Sequence, residues 1–179
     1  MPPKKNALAR FPQYLSDQFI LSAANTFTTE VIFSPLPRFP FNLKSGETTA
    51  IEILWFDTNV TATDMNVALD NVGFAFSLGA PPSALPNLGN PLTMIAESID
   101  VGGVATATGT ALTIFRSQKR FDLQDKDGNG FLMASSRFNI SMVAIGQATA
   151  TILDWRMYYR FVIVEAVDLI GTIQSQVPI

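Results

Sequence analysis

Residues 150–165 form one unbroken alternation, Ala150-Thr-Ile-Leu-Asp-Trp-Arg-Met-Tyr-Tyr-Arg-Phe-Val-Ile-Val-Glu165. Leu153, Trp155, Met157, Tyr159, Phe161 and Ile163 share one parity; Asp154, Arg156, Tyr158 and Arg160 share the other. Successive side chains on a strand point to opposite faces, so this pattern predicts one long strand with an apolar side and a basic-aromatic side. Its length lies beyond the usual range for globular strands. A strand of that length needs a large sheet around it, with its odd face buried and its even face outward.

The rest of the chain supplies partners for it. Thr26 to Phe33 reads as a strand ended by Ser34-Pro-Leu-Pro-Arg-Phe-Pro40, whose prolines remove backbone donors. Thr48 to Asn59 is rich in strand formers. Asn71 to Gly79 places Val72, Phe74, Phe76 and Leu78 on one face. Residues 80–91 form a Pro/Gly/Asn loop, long enough to expect a functional or interfacial role. Further strands are expected at Leu92 to Val101, after a Gly102-Gly103 turn at Val104 to Phe115, then at Arg120 to Leu123, Phe131 to Ala134 and Arg137 to Ile145. Helix is expected only in short pieces, at Asp64 to Leu69 and Ala166 to Ile170. Eight or nine strands with regular turn signals predict an all-β, two-sheet antiparallel sandwich, a single jelly roll of about eight strands. An immunoglobulin-like sandwich is the second reading; it would need fewer residues, and its Cys-Trp-Cys arrangement is missing. The organisation expected is a short arm over 1–15, a jelly roll over 16–165 and a contact-making tail over 166–179.

The chain contains no histidine and no cysteine. That removes the commonest general base and metal ligand together with thiolate chemistry, and rules out a Ser-His-Asp triad. No enzyme activity is expected. Charged residues make up 15% of the chain, against about 25% in ordinary soluble domains, which fits either a surface much covered by other copies or an ordinary core-rich β-domain. Twelve basic against fifteen acidic residues give a net charge of −3. Dedicated nucleic-acid-binding domains are basic, so any such contact must come from a local patch. No apolar run of signal-peptide type follows Met1 to Asn6, and no stretch approaches a membrane span, so neither a leader nor a membrane partner is expected. The sequons at Asn59-Val-Thr61 and Asn139-Ile-Ser141 read as chance matches.

Three features are candidate sites. Asp125-Lys-Asp-Gly-Asn-Gly130 matches the opening of an EF-hand loop, with Asp125, Asp127 and Asn129 as oxygen donors. Its twelfth position is Ser136 rather than Glu, and its flanks look like strands. A hairpin turn is the first reading, with a weak calcium site completed by a neighbouring subunit as the second; otherwise no cofactor is expected. Arg156, Tyr158 and Arg160 read first as a solvated sheet face, with Asp154 pairing an arginine, or as a subunit contact; the second reading is a face toward nucleic acid, with arginine on phosphate and tyrosine on a base. Arg116, Lys119 and Arg120 form a second basic cluster, and Lys4, Lys5 and Arg10 give the arm a small charge for the same purpose. In the tail, Leu169, Ile170 and Ile173 are candidate assembly contacts.

Three segments carry a resemblance. Thr49-Ala-Ile-Glu-Ile-Leu-Trp-Phe56, Asp125-Lys-Asp-Gly-Asn-Gly-Phe-Leu-Met-Ala134, and Tyr159-Arg-Phe161 with Ile170-Gly-Thr-Ile-Gln-Ser-Gln176 resemble the early strand, acidic turn, late strand and tail of single jelly-roll capsid proteins from small circular single-stranded DNA, Rep-encoding viruses. The resemblance covers about a third of the chain. It implies a homomeric icosahedral shell, built inside the host cell and found in the virion, around single-stranded DNA held weakly and without sequence specificity. Many such capsids begin with a long basic arm; here the arm is short and the chain acidic. The alternatives are a calcium-assisted, lectin-like carbohydrate-binding sandwich and a minor vertex or spike protein of a virion.

Overall fold

A computed structural model describes residues 6–7, 12–21, 26–35, 43–62, 70–100, 115–147, 149–168 and 170. Within them ten strands lie in two antiparallel sheets. The first sheet is centred on β4 (Glu47–Ala62) and β10 (Thr151–Glu165), which pair along almost their whole length. The free flank of β10 takes β2 (Gln13–Leu21) and the two-residue β1 (Asn6–Ala7). The far flank of β4 takes β7 (Phe115–Asp122) and β8 (Phe131–Met133). The second sheet runs β3 (Thr26–Phe33), β9 (Arg137–Ile145), β5 (Asn71–Ser77), β6 (Thr93–Asp100).

The pairings are nested. β5 pairs β6, β4 pairs β7 around them, β3 pairs β9 outside that, and β2 pairs β10 outermost. Successive pairs fall in alternate sheets. One long two-stranded ribbon rolled over itself gives this order, and it is the jelly roll expected from the sequence.

The core fills the space between the sheets. Leu153, Trp155, Met157, Tyr159 and Phe161 are buried on the inner face of β10, as their parity requires. Trp155 meets Phe76 and Phe138 edge-on, at centroid distances of 5.8 and 5.9 Å, a favoured aromatic geometry. Past Phe161 the pattern changes. Ile163 is only half-buried, while Val162 and Val164 are buried on the opposite face with Ala50, against Leu132 of β8. On β4 the register shifts, so that Tyr158 faces Trp55 while Tyr159 faces Ile53, leaving Leu54 as the extra residue of a bulge. The bulge re-aims the strand: Phe56 and Val60 point inward on one side of it, Ile51 and Ile53 on the other, and Leu54 is buried too.

Four elements differ from the sequence reading, the first being the short β1, whose Asn6 and Ala7 were expected in the arm. Gln13, Tyr14 and Leu15, expected in the arm, open β2, and the rest of that strand carries no strand signal in the sequence. β7 runs over eight residues where only Arg120 to Leu123 was expected. β4 extends beyond both ends of Thr48 to Asn59. The strand expected at Val104 to Phe115 lies outside the described residues except for Phe115, as do the helix expected at 64–69 and the Gly102-Gly103 turn. Residues 166–168 and 170 are helical.

Candidate nucleic-acid interface on the outer sheet face

The two outer faces of the sandwich are not equivalent. On the second sheet the loop between β5 and β6 lies across the strands. Asn139 Nδ2 donates to the carbonyls of Gly79 and Ala80. Thr29 Oγ1 lies 3.4 Å from the Pro82 carbonyl and 3.0 Å from Ser141 Oγ. Leu85 sits so close over β5 that a Cβ on Gly73 would come within 2.5 Å of its Cδ2. Gly73, Ala75, Ser77, Asn139 and Ser141 are all buried beneath this cover. No described segment covers the first sheet in this way across β2, β10, β4 and β7.

Strand register arranges that open face in rows. Gln18, Asp154, Asn59 and Gln118 form a polar row; Ser16, Arg156, Asp57 and Arg120 a charged one; Tyr14, Tyr158, Trp55 and Asp122 an aromatic one. In the polar row Asp154 accepts hydrogen bonds from Gln18 Nε2 at 2.7 Å and Asn59 Nδ2 at 3.1 Å. In the aromatic row Trp55 and Tyr158 stack at 4.7 Å with their planes 25° apart, and Tyr14 follows at 6.1 Å. Such cross-strand pairs stabilise a sheet.

The arginines lie over these rings. Arg120 is 5.4 Å from the Trp55 ring centroid, and Arg156 is 4.9 Å from Tyr14. Arg120 also grips Asp57 with two bonds, Nε to Oδ1 at 2.7 Å and Nη2 to Oδ2 at 3.0 Å. That hydrogen-bonded carboxylate raises the Arg120 pKa above its already high ordinary value. Arg156 donates instead to the Tyr158 hydroxyl at 3.2 Å, and this hydrogen bond is the largest cause of its own raised pKa. Among the described residues Arg156 makes no ion pair. Both guanidinium groups therefore stay cationic at any working pH, but only that of Arg120 is matched by a carboxylate.

Arg160 is placed differently from its two sequence companions. Its Nε donates to Glu52 Oε2 at 2.5 Å, and its Nη2 donates to the Gly128 carbonyl at 3.2 Å. Glu52 is completely buried and also accepts from the Gly130 amide at 3.1 Å. Arg160 and Glu52 thus clamp the 124–130 loop onto the sheet.

That loop joins β7 to β8. Asp125 Oδ1 accepts from the amides of Asp127 and Asn129, both at 2.9 Å, and Asn129 Nδ2 reaches Asp125 Oδ2 at 3.1 Å. Gly128 takes a positive φ of 77°, which glycine adopts without a steric penalty. Asp125 and Asn129 therefore bond to each other, and Asp127 contributes its amide. No group of three or more His, Cys, Asp or Glu side chains suited to a metal occurs among the described residues. Lys4, Lys5, Arg10, Leu169 and Ile173 lie outside the described residues; Ile170 is exposed on the terminal helical turn.

Tyr14, Trp55, Asp57 and Arg120 belong to the open face with Arg156 and Tyr158, which sequence reasoning alone does not show. Their juxtaposition depends on register between strands distant in sequence. The one local signal is parity, with Trp55 and Asp57 at alternate positions of a recognisable strand.

The class defined here is a single jelly roll with one self-covered face and one open face. No family model matches the chain, and no curated protein matches it in sequence. Solved structures share the fold. Trichodysplasia spinulosa-associated polyomavirus VP1, in complex with GM1 oligosaccharide, superposes with a TM-score of 0.52 at 11% identity, covering 89% of this chain and 98% of that one. New Jersey polyomavirus VP1 gives 0.50 at 10% identity, covering 86% and 100%. These neighbours are viral jelly-roll capsid proteins.

Proposed function

We propose that this chain is a viral capsid protein that assembles with copies of itself into a closed icosahedral shell around a small single-stranded DNA genome. The observation that carries the reading is the nested jelly roll, shared with polyomavirus VP1 along nearly the whole of both chains. The low charged fraction supports extensive contact between copies, and the strand, turn and tail motifs support the single-stranded DNA class. The work of such a protein is geometric: the sandwich is a rigid wedge, and its edges, loops and tail meet its neighbours. The shell forms inside the host cell and ends in the virion; no membrane and no cofactor take part.

Negative-stain electron microscopy of the chain expressed alone tests this. Closed particles of uniform diameter are expected. A stable monomer or trimer that binds glycans in an EDTA-sensitive way would replace the capsid reading with the lectin-like one, for which the GM1-bound neighbour is the one supporting observation.

A further inference from the structure

We propose that Arg156, together with the exposed ring of Tyr14, is a contact site for single-stranded nucleic acid, and that the outer face of the first sheet is consequently the genome-facing side of the subunit. The second clause rests on the capsid reading; the first does not.

The argument begins with what the open face offers. Its aromatic rings do not present a broad flat platform: Trp55 lies between Tyr158 and Arg120, and Arg156 reaches over Tyr14. Stacking on a ring does not separate a sugar from a base, and most of these faces are already taken, so the cationic groups decide the ligand class. What remains outward is guanidinium N–H. Arg156 gives Nη1 to the Tyr158 hydroxyl, and a guanidinium carries five N–H donors in a planar fork, the geometry that suits a phosphate. Arg120 pairs with Asp57, the carboxylate directly opposite Arg156 across the strand pair, so Arg156 keeps no ion pair of its own among the described residues. The complement of that charge is an anion.

The ring of Tyr14 narrows the anion further. It is 61% exposed, on the outermost strand beside Arg156, and its exposed side is what would meet a planar partner. Stacking on an aromatic side chain requires an unpaired base, because duplex bases are already stacked, and such contacts tolerate any sequence. Phosphate on Arg156 and base on Tyr14 together describe one nucleotide unit of a single strand. The site is small and its charge modest, in keeping with weak, non-specific binding by an acidic chain. Many copies on one closed inner surface would multiply it.

The experiment uses the full chain, with fluorescence anisotropy of a labelled oligothymidylate, its uridylate counterpart and a duplex on unassembled protein, and nuclease-protected nucleic acid on assembled particles. The wild type should prefer both single strands to the duplex. Arg156→Gln should flatten the salt dependence by about 0.7 in the log–log slope, the contribution of one phosphate contact on a single strand. Tyr14→Ala should weaken binding about fivefold or more, as loss of one stacked base does. Arg137→Gln, an equal charge change at the end of β9 in the other sheet, should leave binding as it was. Wild-type affinity in both Arg156→Gln and Tyr14→Ala, preference for duplex, or binding of glycans instead would overturn the site. Particles that form normally but protect no nucleic acid would overturn the genome-facing orientation while leaving the capsid reading intact. Single-strand binding lost in the two variants of a chain that never assembles would do the reverse, keeping the site and removing the shell.

Discussion

Arg160 and Glu52 face each other across the two longest strands, and the fully buried carboxylate of Glu52 is held by the Arg160 guanidinium on one side and the Gly130 amide on the other. One ion pair therefore joins the centre of the sheet to the acidic loop after β7. Removing one partner of a buried pair leaves the other charge desolvated and unmatched, at about 3–5 kcal/mol. The Arg160 side chain is 26% exposed, so Arg160→Ala should fall near the lower end, about 3 kcal/mol, in urea unfolding. Amide exchange at Gly130 should accelerate as well. A variant with unchanged unfolding midpoint and unchanged Gly130 protection would show that the pair holds neither the sheet nor the loop.

Trp155 provides the test of facing. It is buried between Phe76 and Phe138, so Trp155→Ala should cost about 3–5 kcal/mol, as large aromatic truncations in cores do. Arg156→Ala, one residue on and pointing outward, should stay within about 0.5 kcal/mol of wild type, as surface substitutions do. Thermal melts of the two side by side decide it; equal losses would put the strand a residue out of register.

What the sequence reveals and what it conceals follow from the same alternation. β5 and β10 are legible because each buries a regular apolar parity; β3, none of whose residues is fully buried, is legible from its strand-forming residue types and the prolines that end it. β2 is not, because its inward positions run Gln13, Leu15, Asp17, Phe19, Leu21. As an edge strand it leaves Asp17 exposed at an inward position, and the period breaks there. β7 hides for a related reason. Lys119 occupies an inward position and reaches across the sandwich to Glu97 of β6 at 2.9 Å, so a charge stands where an apolar residue is sought. The open face shares in this loss, since Tyr14 and Arg120 sit on the two strands least visible in the sequence. Arg156 and Tyr158 are legible, but the Glu52 partner of Arg160 is not, since the Leu54 bulge shifts the parity of β4 between Trp55 and Glu52.

The acidic loop contains two glycines needed for different reasons. Gly128 has a positive φ, and a Cβ placed there would meet nothing within 4 Å, so Gly128→Ala meets backbone strain alone, about 1–2 kcal/mol. At Gly130 a Cβ would lie 2.1 Å from the Ile53 carbonyl oxygen, a main-chain atom that cannot turn aside. Gly130→Ala should therefore be the more destabilising of the two and should detach the loop from β4. The reverse order in chemical denaturation would mean that the loop relaxes freely.

Calcium should do little here. Asp125 already accepts the Asp127 and Asn129 amides on Oδ1 and the Asn129 side-chain amide on Oδ2, and no group of three or more carboxylates among the described residues completes a shell around it. Calcium modules of the weakest kind bind at about 0.1–1 mM. If the affinity is weaker than about 1 mM, then about 1 mM calcium stabilises the fold by less than about 0.4 kcal/mol relative to EDTA. A larger shift in the melting curve, abolished by Asp125→Asn, would restore the metal site and point to ligands donated by a neighbouring copy.

The terminal segment offers the most direct test of assembly. The Ala166 amide donates to the Gly46 carbonyl at 2.7 Å, so the start of the helical turn is anchored to the beginning of β4. Beyond the anchor, Val167 and Ile170 are 77% and 54% exposed, one helical turn apart, as residues on one face are. Neither contributes to the core of its own subunit, and apolar side chains grouped at a surface mark sites of contact with other molecules. Replacing both with aspartate should leave the melting temperature of the isolated subunit unchanged, because nothing buried is disturbed. It should abolish particles, because each contact would then desolvate a charge against an apolar partner. Light scattering and electron microscopy of the double variant read both effects at once. Normal particles would remove this turn from the set of assembly contacts, and a fall in subunit stability would mean that the tail folds back to complete its own domain.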